Sequence, residues 1–443
     1  MRPMQNGLLE RSLAAVWHPC TQMKHHGDGD LPLLPIVRGE GPWLHTADGS
    51  RLLDGISSWW VNLFGHCNPR INAALKDQLD RLEHAMLAGF THEPVVALSE
   101  RLSALTGHAL GHCFYASDGA SSTEIALKMS AHYWRNLGRP EKNGFLCLAG
   151  GYHGETVGAL GVTDIALFRD AYGPLLRPAT VLPSPDARNA ATPLAAAQTA
   201  AAALDAHLAE HHGTTAALIV EPLVQCAAGM AMHDPEYLRL ARAACDRHGV
   251  HLICDEIAVG FGRTGSFFAH DQAGIRPDFL CLSKGITGGY LPLSVVMTRS
   301  QIYRAFYDDT TARGFLHSHS YTGNPLACRA ALATLDIFAD DEVLAANAVK
   351  SARIEARLTP LIRHDAIHNW RRRGMIFAFD VMADGGFARR CHRAALRRGL
   401  LLRPIAGSDG TAVYLMPPYI LDDDETELLC LATADALREA LTT

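Results

Sequence analysis

Short, mainly apolar runs recur along the middle of the chain, at 145–148, 217–220, 250–254 and 279–282, each separated from the next by a longer stretch of helical spacing. Such runs read as buried strands, and their interleaving with helices predicts an α/β domain built on a mainly parallel sheet with crossover helices. One crossover is alanine-rich, with Thr192-Pro193 as its start signal and Gly213 as its stop. Ahead of the sheet, 31–54 alternates in short segments broken by Gly39, Gly41, Pro42 and Asp48-Gly49, which predicts small strands joined by turns. Residues 71–87 have the spacing of an amphipathic helix. Beyond Leu326 a long helical run leads to an apolar stretch at 377–380, a helix near 385–398 and a strand around 413–415. Residues 57–340 are therefore expected to form the large domain, and 1–56 with 341–443 a smaller α+β domain.

Composition narrows the function classes. The 443 residues carry a net charge of −6 and no basic block, so neither nucleic acid nor an anionic membrane is an expected partner, and small molecules are. Residues 1–15 have no long apolar core before a cleavage pattern, and no run of about 20 apolar residues occurs; a cytoplasmic protein is expected. The 11 cysteines are scattered singly with no Cys-x-x-Cys pair and read as reduced core thiols. Among the 23 histidines, His25-His26, His211-His212 and His317-Ser318-His319 have no carboxylate or cysteine at zinc spacing, so no metal is expected.

Two of the apolar runs end in chemistry. The run at 279–282 leads into Ser283-Lys284-Gly285, which places a lysine at a strand end before a glycine-rich turn. Burial there lowers the ammonium pKa, and the neutral amine can attack an aldehyde, as pyridoxal phosphate requires. The run at 250–254 delivers Asp255 in the same way, and ligands of α/β sheets bind beyond such carboxyl ends. An anionic Asp keeps the pyridine nitrogen of that cofactor protonated. A third stretch, Ser117-Asp118-Gly119-Ala120 with Ser121 to Glu124 behind it, feeds a helix N-terminus; it fits either an anion site or a capping box through Glu124. Gly260-x-Gly262-x-x-Gly265 matches a dinucleotide fingerprint in letters, but five residues separate it from its strand and a poor helix start follows.

The run from Asp255 through Gly260-Phe261-Gly262-Arg263-Thr264-Gly265, followed by Ser283-Lys284-Gly285, resembles the signature of the class III pyridoxal-phosphate aminotransferases of fold type I. Trp17-His18-Pro19, Ser57-Ser58-Trp59-Trp60, Tyr152-His153-Gly154, 323–328, and Arg403-Pro404 with 414–419 narrow the likeness to the branch of that family that works in biotin synthesis. The resemblance implies that Lys284 holds the cofactor and moves protons, that Asp255 pairs with its ring nitrogen, and that Tyr152 stacks on the ring. It implies a phosphate site at Asp118, Gly119 and Ala120, completed in a homodimer by Ser320 of the other subunit with His319 adjacent. Substrate binding falls by the same likeness to Trp59, Trp60, Ser318, Cys20 and Arg403, with Arg403 on the acceptor's carboxylate. Cys20 stands where a tyrosine is usual, Ser318 where a glycine is, and Ser320 where a threonine is.

The implied reaction is amino transfer onto an acceptor of the 8-amino-7-oxononanoate type, with S-adenosylmethionine as donor. An ω-aminotransferase acting on a diamine or a β-alanine-like amine is the alternative in the same fold, and a pyridoxal-phosphate decarboxylase or aminomutase the alternative chemistry.

Overall fold

The computed structural model describes residues 4–27, 31–188, 190–407 and 410–442. The chain divides into two units, one made of 69–348 with 373–375, the other of 1–68, 349–372 and 376–443. The expected division at 56/57 thus falls earlier than the observed one, because residues just after it are bound to the smaller unit: Ser57 Oγ donates to the Met416 carbonyl at 2.7 Å, and Ser58 N donates to Asp54 at 2.8 Å.

The larger unit is organised on a seven-stranded sheet, in the order His112–Ala116, Ser294–Thr298, Phe279–Leu282, His251–Asp255, Thr215–Val220, Gly144–Leu148, Thr180–Leu182. The strands from Phe279–Leu282 to Thr180–Leu182 pair parallel, as the sequence predicts. Ser294–Thr298 runs antiparallel to both its neighbours. The reason is chain length: a parallel return needs a crossover of a dozen or more residues, usually helical, and 283–293 holds a tight turn instead.

Helix Gly119–Asn136 lies on this sheet, burying Ile125, Met129 and Tyr133 among Ala217, Ile219, Ile253, Phe279 and Val296. Each such large apolar side chain contributes about 1.5–3 kcal/mol on burial, and together they fix the helix N-terminus against the strand ends. The alanine-rich crossover is Pro193–His211, with the Thr192 hydroxyl accepting from Ala195 N at 3.1 Å as its N-cap. The expected helix over 71–87 is shorter, Pro69–Leu79. The buried Gln78 amide donates to the Leu82 carbonyl at 2.8 Å and folds the chain into a turn where the periodicity continues.

In the smaller unit, Ile36–Glu40, Trp43–Thr46 and Arg51–Asp54 form the small antiparallel strands expected of 31–54, with Leu400–Leu401 added in parallel to the last. Ile376–Val381 and Gly410–Leu415 pair antiparallel, and helices Phe387–Arg397 and Asp423–Thr442 pack together in the same unit. No helix among the described residues is long and apolar enough to cross a membrane.

Candidate active site

Strand register in the larger unit brings three titratable side chains to adjacent strand ends. Cys254 pairs with Val220, so Asp255 and Glu221 leave neighbouring strands side by side. Asp255 pairs with Cys281 on the other flank, three residues before Lys284. Period-2 alternation and parallel registry thus do the positioning, with no loop flexibility involved.

Lys284 opens a tight turn, Lys284–Thr287, with its own φ at +46°. A non-glycine residue held in the left-handed region costs about 1–3 kcal/mol and is a mark of functional sites. The residue as a whole is partly exposed. Its ammonium is nonetheless taken out of bulk water, which holds its pKa below the usual lysine range; the charges of Asp255, Cys226 and Glu221 work in the opposite sense.

Asp255 is buried and fully engaged: Oδ2 lies 2.7 Å from His153 Nδ1, and Oδ1 accepts from Ile257 N at 3.1 Å. His153 is oriented in turn by its backbone, with N–H on Thr163 Oγ1 at 3.0 Å and carbonyl on Thr123 Oγ1 at 2.8 Å. Glu221 receives Tyr152 N and Cys226 N, each at 3.0 Å, one on each carboxyl oxygen. Burial pushes its carboxyl up to about 7, His153 opposes this and the Asp255 charge adds to it. Tyr152 is half-buried; its hydroxyl donates to Glu155 at 2.8 Å and its ring meets Phe168 edge-on at 5.4 Å between centroids. His153 and Glu221 were given no role from sequence, although Glu221 follows a six-residue apolar strand just as Asp255 follows its own.

Asp118 is the N-cap of helix Gly119–Asn136, accepting from Ser121 N at 3.0 Å. The Glu124 capping box is not formed. That carboxylate reaches across to Thr156 Oγ1 at 2.6 Å and Gly158 N at 2.8 Å, tying down the turn behind Tyr152. The first amides of the helix, at Gly119 and Ala120, have no carbonyl one turn back to donate to, which suits an anion. A Cβ at Gly119 would stand 2.9 Å from Ile257 Cγ2, and one at Gly154 would stand 2.8 Å from Ala120 Cα. Only glycine lets the helix end, the Asp255 loop and the Tyr152 loop close on one another.

This arrangement fits pyridoxal phosphate: a desolvated lysine for its aldehyde, a buried carboxylate held by His153 for its ring nitrogen, and a helix N-terminus for its phosphate. Gly260, Gly262 and Gly265 lie in turns, with Gly260 N on the Glu256 carbonyl at 3.0 Å, and no helix starts at the third glycine. No group of three His, Cys, Asp or Glu suited to a metal ion occurs among the described residues.

Ser318 and Ser320 are exposed. His319 closes the turn between them and Thr322: its N–H donates to Thr322 Oγ1 at 3.3 Å and its Nδ1 accepts from Tyr321 N at 3.2 Å.

The smaller unit gathers Cys20, Trp59 and Arg403. The Arg403 guanidinium lies over the Trp59 ring at 4.8 Å and donates to the Cys20 carbonyl at 3.2 Å. The two tryptophans part company here. Trp59 is 40% exposed, whereas Trp60 is 7% exposed with Nε1–H on Tyr414 OH at 3.1 Å. Both belong to a left-handed turn, Ser57–Trp60, in which four successive non-glycine residues have positive φ. Each costs about 1–2 kcal/mol in that region.

Residues 24–437 match the family model of the class III aminotransferases. The chain belongs to that family. This class III aminotransferase is a pyridoxal-phosphate enzyme of the fold type I α/β architecture. It is 44% identical over 444 residues, 98% of each chain, to the adenosylmethionine-8-amino-7-oxononanoate aminotransferase of Helicobacter pylori. It is 41% identical to the one from Synechococcus elongatus, covering 96% of this chain and 98% of that one. Among solved structures, the adenosylmethionine-8-amino-7-oxononanoate aminotransferase of Methanocaldococcus jannaschii superposes with a TM-score of 0.91 at 33% identity, covering 98% of this chain and 99% of that one. An amine transaminase from an uncultivated Pseudomonas species, in a PLP-bound form, superposes with a TM-score of 0.89 at 33% identity over 97% and 98% of the two chains.

Proposed function

We propose that this aminotransferase moves an amino group onto 8-amino-7-oxononanoate, giving 7,8-diaminononanoate in biotin synthesis, with S-adenosylmethionine as donor. The observation that carries the reading is the Arg403–Trp59 stack. A planar guanidinium pre-set on an indole face suits a carboxylate followed by an alkyl chain, the shape of that acceptor. The names of the relatives supply the same substrate. For the donor, a sulfonium cation suits the aromatic faces of Trp59 and Tyr152, whereas the more strongly hydrated ammonium of lysine favours a carboxylate.

Pyridoxal phosphate, when bound, supplies an electron-withdrawing ring. Asp255, aligned by His153, keeps a proton on the ring nitrogen, and Tyr152 covers the ring face against water. Gly119 and Ala120 hold the phosphate on their N–H groups. Lys284 takes the proton from the donor's amine-bearing carbon in the first half-reaction and returns one to the acceptor's carbonyl carbon in the second. Arg403 binds the acceptor's carboxylate, and Trp59 lines its chain. Cys20, Trp60 and Ser318 shape the surroundings of these contacts.

We infer further that the enzyme is a cytoplasmic homodimer in which Ser320, with His319, completes the phosphate site of the other subunit. The exposed apolar side chains of Phe90, Leu316 and Tyr321 support an interface on the larger unit.

A screen of half-reactions tests the reading. The cofactor-loaded protein is mixed with single donors, and its visible absorbance is followed, then acceptors are added to the aminated form. Conversion by S-adenosylmethionine and recovery by 8-amino-7-oxononanoate are expected. Conversion by lysine alone would overturn the donor, and recovery only by simple ω-amino acid acceptors would favour a general ω-aminotransferase. Sedimentation of a fully active monomer would overturn the shared site.

A further inference from the structure

The turn that presents Trp59 has no glycine to make it easy. Ser57, Ser58, Trp59 and Trp60 have φ of +52°, +45°, +70° and +73°, so side-chain contacts must hold what the backbone disfavours. One carboxylate supplies two of them. Asp54, 0% exposed at the end of strand Arg51–Asp54, accepts from Ser58 N through Oδ1 at 2.8 Å and from Ser58 Oγ through Oδ2 at 2.7 Å. A second layer orients the carboxylate. The Asn62 amide donates to His66 Nδ1 at 3.1 Å, which leaves the imidazole proton on Nε2, 3.2 Å from Asp54 Oδ2. At the other end of the turn, Ser57 Oγ and Trp60 Nε1 are anchored on the Met416 carbonyl and on Tyr414 OH. Trp59 alone of the two indoles is turned to the outside, with Arg403 over its face at 4.8 Å.

We propose that Asp54, oriented by His66 and Asn62, is a positioning residue for substrate recognition: through Ser58 it locks the left-handed turn that fixes the Trp59–Arg403 pair. The proposal rests on the reading of that pair as the acceptor's binding group. Asp54 touches no reacting atom, and its effect passes entirely through the geometry of Trp59. An Asn in its place keeps the volume but offers one acceptor and one donor where two acceptors are needed.

The test uses the cofactor-loaded enzyme with Asp54→Asn, Trp59→Phe and the double variant. The Trp59 contribution to the near-ultraviolet circular dichroism is the difference between wild type and Trp59→Phe. Loss of that contribution in the Asp54→Asn background is expected, with the KM for 8-amino-7-oxononanoate raised on the order of tenfold and kcat changed far less. Ser58→Gly added to Asp54→Asn makes the left-handed turn accessible again, and is expected to recover part of both signals. A lost Trp59 signal with unchanged acceptor KM supports the positioning role and overturns the recognition reading on which it rests. A Trp59 signal that survives Asp54→Asn overturns the proposal. Should Asp54→Asn fail to fold, Ser58→Ala, which removes one of the two bonds and leaves the carboxylate in place, is read by the same two measurements. An unchanged Trp59 signal there overturns the proposal as well.

Discussion

The Lys284 cluster of the larger unit and the Trp59–Arg403 group of the smaller unit are assembled by opposite means. Glu221, Asp255 and Lys284 owe their positions to main-chain pairing: three neighbouring strands in fixed register deliver them whatever the side chains nearby do. Trp59 and Arg403 stand on a turn and on an irregular segment, held by hydrogen bonds from Ser58 to Asp54, from Ser57 to the Met416 carbonyl and from Arg403 to the Cys20 carbonyl, each of which the loss of one side chain (Asp54, Ser57 or Arg403) removes. Chemistry common to a whole family is well served by the first arrangement, because a ladder is indifferent to most mutations. Recognition of one acceptor is well served by the second, since side-chain contacts can be changed one at a time without disturbing a sheet.

The largest effect that bears on this contrast is expected at Lys284. Lys284→Ala removes the amine proposed both to hold the cofactor and to move the proton, and a loss of turnover of at least roughly 10²–10⁴-fold is expected from the proton transfer alone. Steady-state assay checks it, and borohydride trapping with peptide mapping should place the cofactor on Lys284 in wild type. Cofactor found on another lysine would break the comparison at its root.

Next comes Arg403→Ala, which removes the guanidinium proposed to bind the acceptor's carboxylate; a hydrogen bond to a charged group contributes roughly 1.5–3 kcal/mol. The loss should fall on the acceptor half-reaction far more than on the donor one. Equal losses in both, measured by single-turnover absorbance, would make Arg403 a structural partner of Trp59 and Cys20.

Glu221 sharpens the comparison through pH. Its carboxyl, pushed up to about 7 by burial, keeps its proton in the folded protein while the unfolded chain gives it up near 4.5. The native state therefore binds more protons across that window, and stability falls as pH rises through it, by about 3 kcal/mol in all. Glu221→Gln cannot ionise. The stability of the variant relative to wild type should improve by about that amount between acid pH and pH 8, whatever constant cost its altered hydrogen bonds add. Denaturant titrations at pH 4.5, 6 and 8 would show it, and parallel curves for the two proteins would refute it.

Cys20→Tyr should have the smallest effect. Arg403 donates to the backbone carbonyl of Cys20, so a new side chain leaves that bond intact and adds aromatic area beside the pair. A change of about 1 kcal/mol in acceptor KM is expected, in favour of binding. Unchanged affinity would show that position 20 has no part in recognition.

Lys284 and Asp255 were legible in the sequence because each ends an apolar run, and strand ends are where such sheets do chemistry. Glu221 has the same signature, but an acid after an apolar run does not by itself announce that it will accept from two backbone amides. Helix Pro69–Leu79 stops where periodicity alone would carry it on, since nothing in apolar spacing reports that Gln78 will bond Leu82. Glu124 has the spacing of a capping box, yet the Thr156 turn claims it. The left-handed turn could not be read at all: Ser-Ser-Trp-Trp lacks the glycines that announce positive φ, and the conformation is imposed by Asp54 and by Met416, far away in the chain.

The antiparallel strand Ser294–Thr298 has a consequence for how the enzyme breathes. It makes the Lys284 turn the tip of a hairpin whose two arms pair from Phe279 with Thr298 to Leu282 with Val295, all buried. Freeing that tip means parting the middle of a seven-stranded sheet, so the amides of these two arms should exchange with deuterium only when the larger unit unfolds as a whole. The Ser58 amide has no such guard, and a local opening that breaks its bond to Asp54 releases it. Heating the enzyme should therefore blur its choice of acceptor well before it loses the lysine.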